Sequence, residues 1–143
     1  MESEQLKEKY MEYQLSVQQV QQLHQNIESL EKHISDISNL EGSINNLSNI
    51  KLNSEVLMPI GGGIFIKGTI TENSKLIMNV GSNVFIEKST DEGKDTIKKQ
   101  LSEVSILADQ MRDQAQILVE RIKELQEEFE SLRKTKMNSN IQP

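Results

Sequence analysis

Cysteine and tryptophan are absent from this 143-residue chain, which holds only two prolines. Without thiols there is neither a disulfide framework nor a thiolate metal site, which suits a reducing compartment. Aromatic residues make up 3% and hydrophobic residues 35%, thin for a large globular core but typical of long helices rich in Glu, Lys, Gln and Leu. No apolar run approaches the roughly 18 residues of a membrane span, and the opening MESEQLKEKY has no apolar signal region. Basic excess is missing too: 16 Lys and Arg against 22 Asp and Glu leave a net charge of −6. Residues 1–53 carry eight acidic and four basic groups, 54–90 three of each, and 91–143 eleven acidic and nine basic. No segment therefore offers the cationic face that a phosphate backbone needs. The expectation is a soluble cytoplasmic protein with neither nucleic acid nor membrane as a partner.

Periodicity is what the chain does have. An apolar stripe runs through Leu6, Tyr10, Tyr13, Val17, Val20, Leu23, Ile27, Leu30, Ile34, Ile37, Leu40, Ile44 and Leu47, always in steps of three or four, as a coiled-coil seam requires. Paired three-residue steps around Val20 to Leu23 and Ile37 to Leu40 predict local overwinding, and Gly42 predicts a bend or fray. The run INNLSNIKLNS ends this helix between Leu47 and Asn53. A second stripe follows the sequence STDE, where Ser89 and Glu92 are spaced for a capping box. It runs through Ile97, Leu101, Val104, Ala108, Met111, Ala115, Leu118, Ile122, Leu125, Phe129 and Leu132, alternating four and three. At about 1.5 Å per residue, arms of some 45 residues reach roughly 65 to 70 Å.

The stripes fit each other. In an antiparallel pair, facing residues have a nearly constant sum of numbers. Tyr10 with Leu132, Tyr13 with Phe129 and so on to Ile44 with Ile97 keeps that sum at 141 or 142 throughout. A shift by one heptad scores almost as well, so the antiparallel hairpin is better defined than its register. Parallel dimerisation through one arm is the alternative. Large residues oppose small ones, as Ile27 with Ala115 and Ile34 with Ala108, which lets facing layers interdigitate.

Between the arms, residues 54–89 hold four short apolar runs separated by GGG, ENS and GSN, the pattern of strands joined by tight turns. The predicted strands are Val56 to Ile60, Ile64 to Thr71, Lys75 to Val80 and Val84 to Lys88. Ile64, Ile66 and Ile70 share one face and Leu76, Met78 and Val80 another, which predicts a buried side. Opposite faces still carry Leu57, Phe65, Ile77 and Phe85. Such an insert leaves apolar surface and strand edges open, and pairing with other subunits into a closed barrel is the remedy. Pro59 suits an edge position, since it donates no ladder bond.

Chemistry is hard to find. Gly63 and Gly68 stand at Walker-loop spacing, but Lys67 precedes the second glycine and no helix begins there, so the glycines read as a hairpin turn at positive φ. His24 and His33 have no partner at helix-ligand spacing and are expected to be solvated. No Ser, His and acid converge. No catalytic, cofactor-binding or metal residue is assigned, no cofactor is expected, and the chain is not read as an enzyme.

Val56-Leu57-Met58-Pro59-Ile60-Gly61-Gly62-Gly63-Ile64-Phe65-Ile66-Lys67-Gly68, followed by Val80-Gly81-Ser82 and Phe85-Ile86-Glu87-Lys88, resembles the central motif of the prefoldin alpha subunit family. Four strands fit the alpha class, because the beta-class relatives have one hairpin. Asn83 stands where the family often has Gly, and Val84 where it often has an aromatic residue. The compact length resembles the archaeal members.

The resemblance implies a mainly α, α+β fold: a long antiparallel coiled-coil hairpin with a four-stranded insert that assembles into an intersubunit β-barrel. Its expected parts are an N-terminal arm (1–53), two β-hairpins forming the oligomerisation platform (54–89), a C-terminal arm (90–137) and a disordered tail (138–143). Two alpha and four beta subunits are implied, acting as an ATP-independent chaperone that holds unfolded clients at the arm ends and passes them to a group II chaperonin. A structural coiled-coil adaptor that oligomerises through the insert is the alternative. Assembly falls to Val56, Met58, Ile60, Ile64, Phe65, Ile66, Ile70, Leu76, Met78, Val80 and Phe85. Client binding falls to Leu6, Tyr10, Tyr13, Phe129, Leu132 and Met137, with Met1, Met11 and Ile141 adding flexible apolar groups.

Overall fold

The computed structural model describes residues 2–141; Met1, Gln142 and Pro143 lie outside the described residues, and with them the contribution expected of Met1 and the end of the expected tail. In chain order the elements are α1 (Glu2–Leu47), β1 (Glu55–Gly61), β2 (Ile64–Thr69), β3 (Lys75–Asn79), β4 (Phe85–Ser89) and α2 (Thr90–Ser139). Two long helices thus bracket two small hairpins, and the fold is mainly α. Helix α1 continues unbroken through Gly42, without the expected fray. One glycine costs a helix about 1 kcal/mol, and the buried Ile37 and Ile44 on either side anchor that stretch. Helix α2 continues through Asn138 and Ser139, where the tail was expected to begin.

The chain divides into two compact units. The first, Met1–Lys32 with Ser105–Pro143, is a helix pair. Contacts of Tyr13 with Phe129 and of Glu31 with Arg112 make it antiparallel, since numbers rise on α1 as they fall on α2. Val20, Ile27, Ala108, Ala115 and Leu125 are buried, all of them stripe residues. Ser16, one place before Val17, is buried as well, so the seam is wider than the apolar residues mark.

The second unit, His33–Val104, carries both hairpins. Its core is Ile37, Ile44 and Ile97, with Leu101 and Val104 of α2 and Leu76 and Met78 of β3 packed against them. Leu40 is 46% exposed. A three-residue step sets it about 60° round the helix from Ile37, out of the seam, and the four-residue step to Ile44 brings the stripe back.

Strand β1 pairs with β2 and β3 with β4, as two separate antiparallel sheets. The first turn needs glycine: Gly61, Gly62 and Gly63 have φ of 113°, 58° and 78°, with a bulge between Pro59 and Gly61. In the second turn Ser82 and Asn83 have φ of 50° and 58°, and the Val84 amide donates to the Gly81 carbonyl at 2.9 Å, the type I′ arrangement that Asn tolerates. The segment joining the hairpins is tied down at Asn73. Asn73 Nδ2 donates to the Ile50 carbonyl at 2.8 Å, and Thr90 Oγ1 donates to the Asn73 carbonyl at 2.9 Å. At the start of α2 the Glu92 amide donates to Ser89 Oγ at 3.1 Å, one half of the expected capping box; the return bond to the Glu92 carboxylate is not formed.

Candidate functional site

The hairpins present the larger apolar surface. Strand alternation sends Ile64 and Ile66 to one side of β2 and Phe65 to the other, yet all three are exposed, as are Met58, Ile60, Val80 and Phe85. The buried side expected for Ile64, Ile66 and Val80 is therefore not formed within the chain. Two strands without a covering layer cannot bury either face. Only the base of the insert is sheltered: Val56 and Ile70 are half-buried, and Leu76 and Met78 are half-buried against the helical core. Gly93, in the first turn of α2, permits that approach, because a Cβ there would stand 2.7 Å from Leu76 Cδ1. No charged residue occurs from Val56 to Ile66 or from Leu76 to Ile86. Covering these two stretches would desolvate no ion; the charges lie at the base of the strands, where Lys67 and Glu55 are 3.4 Å apart and Lys75 and Glu87 3.8 Å apart.

The ends of the arms differ in kind. Leu6, Tyr13 and Phe129 are half-buried, whereas Tyr10, Leu132 and Met137 are exposed. The Phe129 ring meets Tyr13 edge-on at 5.9 Å and Tyr10 at 6.3 Å, a geometry that favours aromatic pairs. From Glu130 to Ile141 every residue of the chain is exposed. Around the rings, polar groups join the helices. Lys9 Nζ donates to Glu128 Oε2 at 2.6 Å, and Arg121 grips Glu12 with two bonds, Nε to Oε1 at 2.7 Å and Nη2 to Oε2 at 3.0 Å. The hydrogen bond from Arg121, its charge and that of Lys9 hold the Glu12 carboxyl below its ordinary range. The Arg121 guanidinium is pushed up, first by Glu12 and then by its 3.1 Å bond to Glu124.

These ionic partners escape a reading based on apolar periodicity. Lys9, Glu12, Arg121 and Glu128 flank the seam, and opposite charges on facing flanks were the available signal. Their numbers do not share the seam's constant sum, because long side chains lean along the helix. Asn73 and Thr90 carried no periodic signal.

His24 and His33 are exposed. A shallow groove lined by His24, Ile27, Arg112 and Ala115 is open to solvent and brings no nucleophile to a base. Among the described residues no three His, Asp or Glu side chains converge on a metal-like site, and no helix is long and apolar enough to cross a membrane.

Two long helices that bracket a pair of small β-hairpins with open edges define a mainly helical class of protein. A family model described as Prefoldin subunit matches residues 3–135, and the chain belongs to that family. It is 34% identical over 70 residues to Prefoldin subunit alpha 1 of Methanocaldococcus jannaschii, a stretch covering 49% of this chain and 47% of that relative. The alignment thus spans about half the length of the curated relative, which bears the alpha-class name that the two hairpins imply. The fold is similar to that in a cryo-EM structure of filamentous PFD from the same organism, with a TM-score of 0.73, 18% identity, and coverage of 83% of this chain and 98% of that one. At that identity the likeness concerns the fold alone.

Proposed function

We propose that this chain is the alpha-class subunit of a hetero-oligomeric, ATP-independent chaperone, joined through its hairpins to beta-class subunits in an intersubunit β-barrel. The observation that carries this reading is the hairpin pair itself: seven of its expected assembly residues are exposed, on hairpins with free strand edges and within two stretches, Val56 to Ile66 and Leu76 to Ile86, that hold no charge. Edges of that kind direct pairing with another strand. Family membership supports the chaperone role. Two alpha and four beta subunits are the expected stoichiometry, and a group II chaperonin is the expected recipient of the client.

Client capture is assigned to Leu6, Tyr10, Tyr13, Phe129, Leu132 and Met137. Apolar groups that mix rings with a flexible Met, set among charges that keep the ends soluble, suit varied unfolded chains. The decisive experiment mixes the chain with a beta-class prefoldin subunit, measures mass and stoichiometry, and follows aggregation of a denatured protein without nucleotide. A discrete hexamer that suppresses aggregation is expected. A chain that stays monomeric, or that binds one folded partner and holds no unfolded protein, refutes the reading. Open-ended assembly of the chain alone refutes the stoichiometry. Polar replacement of Leu6, Tyr10, Phe129 and Met137 should leave the hexamer intact and abolish suppression.

A further inference from the structure

The last bonds between α1 and α2 towards the chain ends surround one aromatic cluster. Among the described residues, no hydrogen bond or ion pair between the helices lies nearer those ends than Lys9 to Glu128 at 2.6 Å. One turn further in, Arg121 binds both oxygens of Glu12, and Gln126 Nε2 donates to the Tyr13 hydroxyl at 3.2 Å. Phe129 sits among these groups with its edge-on contacts to Tyr13 and Tyr10. Beneath lies Leu125, fully buried; beyond lie only exposed residues of α2. Isolated surface ion pairs contribute little, but a bidentate Arg–carboxylate grip within a network is the exception.

We propose that Lys9, Glu12, Tyr13, Arg121, Gln126 and Glu128 form an ionic clasp that holds the Tyr10–Tyr13–Phe129 cluster shut, and that screening of these charges lets the chain ends part and bares the rings. The physical logic is a balance. Three rings, two of them half-buried and one exposed, give a small apolar closure. The charged groups around them are 37–44% exposed on Lys9, Glu12, Arg121 and Glu128, so added salt reaches them. At about 1 M salt the screening length falls to about 3 Å, comparable with the bonds themselves. The seam further in has the exposed Arg112–Glu31 pair but also buries Val20, Ile27, Ala108 and Ala115, so its closure should depend on salt much less. The inference rests on the helix geometry and not on client binding, so either can fail while the other stands.

The composition supplies a probe. The chain has no Trp and only two Tyr, both in the cluster, so the tyrosine fluorescence of the full chain reports this site alone. Acrylamide quenching is expected to rise about two-fold between about 0.05 M and about 1 M sodium chloride. Amide exchange at residues 9–13 and 126–129 should quicken in parallel, while protection at 37–44 and 97–104 stays constant. Glu12→Gln should show the high-salt quenching already at low salt and lose most of the salt response; Arg121→Met should do the same. Flat quenching of the natural chain across the salt range overturns the clasp, and this arm needs no variant to fold. A Glu12→Gln chain with unchanged low-salt quenching and unchanged salt response overturns it equally, because the rings would then close by packing alone.

Discussion

The hairpin unit and the arm-end unit both expose apolar side chains, but on different backbones. In the hairpins, Ile60, Ile64, Phe65, Ile66 and Phe85 stand on paired strands whose free edges still offer amides and carbonyls. Turn geometry fixes their spacing, and no charge occurs within Val56 to Ile66 or within Leu76 to Ile86. A partner must match both the strand direction and the alternation, so such a surface is selective. At the arm ends, Tyr10, Leu132 and Met137 stand on helices whose backbone bonds are already satisfied, among Lys, Arg and Glu. Only side chains are on offer there, without a register, and a surface of that kind tolerates many partners. Backbone availability, more than the amount of exposed apolar area, separates the two.

The largest effect should come from the core that anchors the second hairpin. Ile97→Ala removes a side chain that is 2% exposed and packs with Ile37 and Ile44. It should cost about 2–5 kcal/mol in urea unfolding and loosen Leu76 and Met78, lowering association with a beta-class subunit. Leu125→Ala, at a 0% exposed position of the arm-end unit, should cost a similar amount yet leave hairpin amide protection unchanged. If both variants lost association equally, the division between the units would dissolve. Next come the turns. Gly61→Val places a β-branched residue at a φ of 113° and should cost about 1–3 kcal/mol, seen as faster exchange of β1 and β2 amides. Asn83→Gly, at a φ of 58° in the other turn, should change stability by less than about 0.5 kcal/mol. Equal losses at the two positions would mean that the turns do not direct the strands. Ser89→Ala removes the acceptor of the Glu92 amide and should cost about 1 kcal/mol, read as a lowered unfolding midpoint.

Much of this architecture was legible. Steps of three and four located both helices, and glycines and Asn83 located both turns, because each signal rests on local geometry that few other residues satisfy. Ala108 and Ala115 were found as seam residues through periodicity alone, although alanine itself carries little hydrophobic weight. Legibility ends where tertiary context decides. Leu40 fits the stripe but turns out of the seam, since the stripe test allows a three-residue step that the helix does not fully absorb. Ile64, Ile66 and Val80 alternate as a buried face does, yet no layer within the chain covers them; alternation marks a face and is silent about who covers it. Gly93 reads as a defect in a helix until Leu76 is seen against it. The grip of Arg121 on Glu12 is one of many possible charge pairs on paper, and only the helix pairing selects it.

The smallest predicted effect tests the arm-end side of the comparison, where closure depends on charge. Glu12 has its folded carboxyl value lowered, chiefly by the hydrogen bond from Arg121 and then by the charges of Arg121 and Lys9. A lowered value means that the folded state favours the ionised carboxylate. Its contribution is therefore fully present above the unfolded value, near about 4.3 for Glu, and is lost as pH falls through the lower folded value. Tyrosine quenching should accordingly stay flat from neutrality down to about pH 5 and rise below the ordinary carboxylate range. The Arg121 guanidinium is pushed further up by Glu12, so the acid response of this grip comes from carboxylates: Glu12 itself, Glu124 bonded to Arg121, and Glu128 bonded to Lys9. Glu12→Gln separates them: the variant should lack the part of the rise that belongs to Glu12, and amide protection around Ile37, Ile44 and Ile97 should not change over the same range. A rise that begins at neutral pH, or one that is the same size in Glu12→Gln, would place the sensitivity outside the Arg121 grip and make the arm ends an apolar closure like that of the hairpin core.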